Sequence, residues 1–150
     1  MISIALVSPS RLYDIRRRVL RDNRPEANVR DPRDEEADAI HVAAIHHDAV
    51  VGSGSVYPST WPLPEPMGLT YQLRYLAVDP EFQRRGIGEK LMSRVESEII
   101  ARGAYALWAN GRDSALSFYS ATGWSIVPAS AHLSAETQLP HHVIVKRLSP

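Results

Sequence analysis

The chain has 150 residues, 44% of them apolar, enough for one domain over residues 1–150 with its own core. Its 17 basic residues balance 17 acidic ones, which excludes the global basic field that draws proteins onto nucleic acid or anionic membranes. Cysteine is absent, which excludes disulfides, thiolate metal sites and an acyl group parked on Cys; any acyl transfer has to be direct.

At the amino terminus Ile2, Ile4 and Leu6 alternate with small or polar residues, predicting a strand that stops at Ser8-Pro9. No basic leader precedes it and its apolar run is too short for a secretory core or a membrane span, so the expected location is cytoplasmic. Ser10 is placed to cap a helix over residues 11–21, with Leu12, Ile15, Val19 and Leu20 as the apolar stripe and the arginines in solvent. Residues 22–38, rich in charge and proline, predict a loop with room for one helical turn. Two apolar runs, 40–45 and 49–57, flank His46-His47-Asp48 and predict a hairpin interrupted in its second strand by Gly52 and Gly54. Adjacent histidines on a strand point to opposite faces, so no metal site is expected there.

Four prolines between Pro58 and Pro66 make a stiff loop in which Trp61 is available to stack on a substrate. Residues 70–78 are a β-branched and aromatic run closed by Asp79-Pro80, and predict a strand. Ile87, Leu91, Val95 and Ile99 recur every four residues, predicting a helix stopped by Gly103, with Glu98 and Arg102 paired on its outer face. Residues 104–109 read as a strand. Asp113 is placed to cap a short helix carrying Leu116, Phe118 and Tyr119 and ended by Gly123; residues 124–127 and 142–148 supply the last strands.

Between the strand at 70–78 and the helix lies Gln83-Arg84-Arg85-Gly86-Ile87-Gly88-Glu89. A strand running through two glycines into a helix offers the unpaired N–H groups of the first turn, and phosphate suits that geometry. Glycine lets the main chain approach closely, and Arg84 and Arg85 add charge for phosphate oxygens. A Walker loop requires Lys-Ser/Thr after its last glycine, where Glu89-Lys90 stands; a dinucleotide fingerprint requires a third glycine, where Leu91 stands.

The stretch LRYLAVDPEFQRRGIGEKLM resembles the central motif of the Gcn5-related N-acetyltransferases (GNAT), Gln/Arg-x-x-Gly-x-Gly/Ala. Asn110, Ala115-Leu116-Ser117-Phe118-Tyr119 and Gly123-Trp124 are similar to the family's A-x-x-F-Y-x-x-x-G-F pattern, and residues 139–148 to the final strand of a bacterial branch. The resemblance covers residues 70–127 by motif and the rest by element order. It implies an α/β fold with a mixed, mostly antiparallel sheet of about six to seven strands, splayed between the fourth and fifth, and about four helices. It also implies acetyl-CoA as co-substrate without a metal, main-chain contacts from Leu76, Ala77 and Val78 to the pantetheine arm, and Gln83 to Glu89 around the diphosphate. An unpaired strand edge binds an extended amide-bearing arm as it binds a peptide.

Transfer to an amine needs a neutral nucleophile, a stabilised oxyanion and a proton for the thiolate. By resemblance, Tyr119 is the acid and the N–H of Leu76 or Ala77 the oxyanion donor. Many members place a Glu as base where this chain has Gln72, whose amide cannot take a proton; His132, Glu136, His141 and Tyr75 are the remaining candidates, or ordered water. Gln72, Trp61, His141 and Asn110 are candidates for positioning substrate or cofactor. The expected acceptor is a small-molecule or peptide amine; the resemblance is compatible with a homodimer and leaves the oligomeric state open. An acyl-CoA-binding sensor without catalysis, and a purely structural domain, are the alternatives.

Overall fold

The computed structural model describes residues 1–148. Its strands are β1 (Ser3–Leu6), β2 (Ile40–His46), β3 (Ala49–Pro58), β4 (Thr70–Val78), β5 (Ala106–Arg112), β6 (Ser125–Ile126), β7 (His132–Leu133) and β8 (Pro140–Arg147); its α-helices are α1 (Tyr13–Leu20), α2 (Ile87–Ala101) and α3 (Leu116–Ala121). The sheet order is β1-β2-β3-β4-β5-β8-β6, with β7 paired to β8 off that path. The pairings β1–β2, β2–β3, β5–β8, β6–β8 and β7–β8 are antiparallel, and β4–β5 is parallel. The sheet is therefore mixed and mostly antiparallel, as expected, but it has 8 strands rather than six or seven, and the α-helices among the described residues number three rather than four. The extra strand is β7, and residues 22–38 form turns without an α-helix. The chain divides into two compact units, residues 1–57 with 74–98, and residues 58–73 with 99 onward.

In the first unit, β2 and β3 are joined through His47 and Asp48, both at positive φ (48° and 64°), the backbone a tight hairpin turn demands. A Cβ on Gly52 would lie 3.0 Å from Ala44 Cβ and 3.0 Å from Leu91 Cδ1, so the interruption read in the sequence is the place where α2 presses onto β3. Ile87, Leu91 and Val95 bury the α2 stripe. Glu98 pairs with Arg94, one turn before it (3.0 Å), not with Arg102. Ser10 does not cap a helix: Pro9 opens a single 3-10 turn, Pro9–Leu12, that runs into α1.

The expectation that the α1 arginines stay wet fails at Arg16, which is 0% exposed. Its guanidinium donates to both Asp34 oxygens (2.8 and 3.2 Å), to Ser55 Oγ (2.8 Å) and to the Val29 carbonyl (2.9 Å). Tyr57 donates to Asp34, and His41 joins Ser55 Oγ (2.7 Å) and the Asp34 carbonyl (2.9 Å). Asp31 accepts from Arg33 (2.9 Å) and Arg74 (2.8 Å). The loop is thus fastened to the sheet by buried charge. Burial alone would raise the Asp31 and Asp34 carboxyls; hydrogen bonds from Arg33 and Arg74 to Asp31, and from Arg16 and Tyr57 to Asp34, outweigh it and hold both below the ordinary range.

In the second unit, Thr70–Leu73 of β4 pair in parallel with Ala106–Ala109, and β8 pairs along the whole of β5. Trp61 packs with Ala106 and Val145, joined by Leu63, Met67, Trp108 and Val127, so it is a core side chain. The Arg147 guanidinium covers its ring at 5.6 Å. Asp113 makes no capping bond; it accepts instead from His142 Nδ1 (2.7 Å). Gly123, at φ 96°, ends α3 as expected. Among the described residues no helix is long and apolar enough to cross a membrane.

Candidate functional site

The predicted site residues fall into two sets. The first lies wholly in the first unit and begins with a distortion no sequence rule announced. Tyr75, in the middle of β4, sits at φ 60°, a backbone state that an aromatic residue adopts only under constraint. Ser53 Oγ donates to its carbonyl (2.8 Å), while the guanidiniums of Arg16 (3.9 Å) and Arg74 (4.5 Å) lie over its ring. The buckle interrupts the regular alternation of main-chain groups just before Leu76, Ala77 and Val78.

The chain then turns through Asp79, whose N–H bonds the Val51 carbonyl (2.8 Å), and Gln83 Nε2 donates back to the Val78 carbonyl (3.0 Å). Arg84 (φ 65°) and Gly86 (φ 76°) have positive φ, and Arg85 between them does not. Such alternation turns successive N–H groups into one concavity that binds anions. The α2 ladder starts at once, with Lys90 N–H bonding the Gly86 carbonyl (3.1 Å), so the concavity opens at the positive end of a 15-residue helix. Arg84, Arg85 and Glu89 are exposed, whereas Ile87 is buried and offers only main chain. A Cβ on Gly86 would meet nothing within 4 Å, leaving open room over the turn. These residues fit a diphosphate: main-chain N–H donors, two exposed guanidiniums, of which that of Arg85 lies over the Phe82 ring at 5.0 Å, and open room over Gly86.

The second set lies in the second unit. Tyr119, on α3, is 9% exposed and packed edge-to-face on Phe118 and Trp124, centroids 5.4 Å away in both cases. Its hydroxyl makes no hydrogen bond among the described residues. Burial, only partly offset by Arg112, pushes the phenol up to about 12, so it stays protonated at neutral pH. Gly111 admits this packing: a Cβ there would stand 2.9 Å from Ile144 Cδ1 and 3.5 Å from Tyr119 Cδ2.

Strand alternation sorts the remaining candidates by face. Trp108 is in register with Gln72, and Arg112 with His141, so Gln72, Asn110, Arg112 and His141 share one sheet face while Gly111, Ile144 and Tyr119 mark the other. Asn110 is exposed; Gln72 and His141 are buried. The Arg16 collar was the part missed by sequence reasoning, although Arg16 follows Leu12 by four positions and so stands on the apolar stripe. Tyr75 had no local signal at all.

Comparison with known proteins gives the following. The model of the acetyltransferase (GNAT) family matches residues 10–124. The uncharacterized N-acetyltransferase YitI of Bacillus subtilis (strain 168) is 23% identical over 124 residues, 83% of each chain. The [ribosomal protein bS18]-alanine N-acetyltransferase of Salmonella typhimurium (strain LT2) is 40% identical over 53 residues, 33% of this chain and 36% of that protein. The crystal structure of an aminoglycoside 6′-N-acetyltransferase complexed with coenzyme A superposes with a TM-score of 0.76 at 17% identity, over 99% of this chain and 98% of that one.

Proposed function

The chain belongs to the acetyltransferase (GNAT) family, and on that premise we propose that it moves an acetyl group from acetyl-CoA directly to the primary amine of a small molecule or peptide. The observation that carries the reading is the turn Gln83–Glu89, with positive φ at Arg84 and Gly86, at the head of α2. The coenzyme A in the aminoglycoside acetyltransferase crystal supports it, and so do the acceptors named for that enzyme and for the bS18-alanine enzyme, both of which are amines. The family match, over residues 10–124, runs into both units, which supports one functional domain over residues 1–150.

In this reading the N–H groups of Arg84 to Gly88 and the two guanidiniums hold the diphosphate, leaving the thioester to supply the activated acyl group. The parallel register with β5 covers Thr70–Leu73, and Leu76, Ala77 and Val78 beyond it offer main-chain groups to the pantetheine amides. The buckle at Tyr75 turns the N–H of Leu76 or Ala77 toward the developing oxyanion, a donor set in advance of the reaction. Asn110 orients cofactor or acceptor. Tyr119, kept protonated by burial, gives its proton to the departing thiolate.

A thermal-shift titration with acetyl-CoA, CoA and propionyl-CoA tests the cofactor, and release of free thiol with kanamycin, spermidine and an alanine-initiated peptide tests transfer. Ligand at a hundred times its dissociation constant adds about 2.7 kcal/mol of stability, a shift of about 6–10 °C for a chain of this size. Stabilisation without thiol release favours the sensor, the reading to which Gln72 points; absence of stabilisation overturns both.

A further inference from the structure

Acetyl transfer to an amine at neutral pH needs an acceptor for the ammonium proton, and the amide of Gln72 cannot be one. We propose, on the basis of the transfer reading above, that His141 is the general base and that the proton goes to its Nε2. His141 is 7% exposed, yet one nitrogen of its ring is committed and the other is not. Nδ1 lies 2.8 Å from the Leu139 carbonyl, and a carbonyl only accepts, so Nδ1 carries the hydrogen. In the neutral ring the lone pair is therefore on Nε2, which has no protein partner among the described residues. A base held by its far nitrogen, with the near one open, is the arrangement that proton abstraction requires.

The surroundings agree. His141 is in register with Arg112, two residues along β5 from the exposed Asn110, and on the same sheet face as Gln72. On β7 the facing residue is His132, whose ring centre is 5.9 Å away and whose own Nδ1 donates to the Ser130 carbonyl (2.8 Å). β5 thus presents Arg112 and β7 presents His132; His142, next along β8, points to the opposite face, where it donates to Asp113.

The step balances as follows. His141 Nε2 takes a proton from the acceptor ammonium, and the freed amine lone pair forms the N–C bond to the thioester carbonyl. Collapse of the oxyanion breaks the C–S bond and the thiolate takes the Tyr119 proton; the second proton on the acylated nitrogen passes through solvent to the phenolate, and the imidazolium releases its proton to bulk water, which resets both groups.

His141→Gln, His141→Ala and His132→Gln are compared with the wild type using acetyl-CoA and whichever panel amine turns over fastest. His141→Gln is expected to lower kcat by about 10²-fold. Acetyl-CoA still stabilises the variant as it does the wild type, the acid limb of the kcat/KM profile disappears, and imidazole restores part of the rate to His141→Ala. His132→Gln keeps the acid limb. Wild-type kcat with an unchanged pH profile in His141→Gln overturns the assignment. A wild type that transfers to no amine defeats the transfer reading instead, and the ring is then judged by itself: long-range 1H–15N spectra should show the Nδ1–H tautomer at His141, and an Nε2–H tautomer overturns the base.

Discussion

Replacing Tyr119 by Phe should lower activity and leave stability almost unchanged. The variant removes one oxygen. If that oxygen protonates the thiolate, kcat falls by about 10²–10⁴-fold, or about 2.7–5.4 kcal/mol of barrier. Stability should respond differently. The ring keeps its contacts with Phe118 and Trp124, and the hydroxyl has no described partner to lose and is not sealed from solvent. Phe should therefore be close to neutral, within about 0.5 kcal/mol. For a chain of this size that is a change of about 2 °C or less in Tm. Initial rates of thiol release at saturating acetyl-CoA and calorimetric melts of the same samples measure both. A variant with wild-type kcat removes Tyr119 from the chemistry; a Tm lower by several degrees shows that the hydroxyl had a partner and refutes the geometric argument. The raised phenol adds a sign: an ordinary tyrosine is half ionised at pH 10, whereas this one titrates near 12, so kcat should not fall through Tyr119 as pH rises to about 10.

Gly86→Val forces a β-branched side chain to φ 76° and fills the open space over the turn; expect a fall in Tm of a few degrees and loss of the acetyl-CoA-dependent shift, and an unchanged shift would refute the placement of the phosphates. Asp34→Asn leaves the buried Arg16 without its counter-charge and should cost about 3–5 kcal/mol, read as a lower urea midpoint at constant m-value. Asp31 and Asp34 have depressed folded-state values, so the stability they contribute is present above the ordinary carboxylate value of 3.8 and is lost as pH falls below it toward the folded values. An acid titration followed by circular dichroism should place the main loss of structure below pH 3.8, and loss well above that value would contradict the network.

What the sequence disclosed is whatever local chemistry decides. The four-residue recurrence from Ile87 to Ile99, the stop at Gly103 and the run from Thr70 to Val78 each depend on neighbours a few positions away, and the folded elements match closely. The turn at residues 83–89 belongs to the same class, because two glycines and two arginines in one short stretch mark it. Strand β7 was invisible, since the two residues His132 and Leu133 become a strand only by pairing with His141 and Pro140. Arg16 was misjudged for a similar reason: its partners lie 18 and 39 positions away at Asp34 and Ser55, and nothing in the α1 stretch names them. Asp113 looked like a cap and instead serves His142 on a distant strand, a choice that only the folded register allows.

The manner in which residues 22–38 are tied down also shapes the thermal response of that stretch. Their order comes from guanidinium–carboxylate bonds to Arg16 and Arg74. Releasing such a segment exposes polar rather than apolar groups, and polar exposure lowers the heat capacity where apolar exposure raises it. The penalty for keeping ions out of water also shrinks on warming. The segment should therefore loosen with a small heat-capacity change, and its order should depend less on temperature than that of the apolar layer under α2.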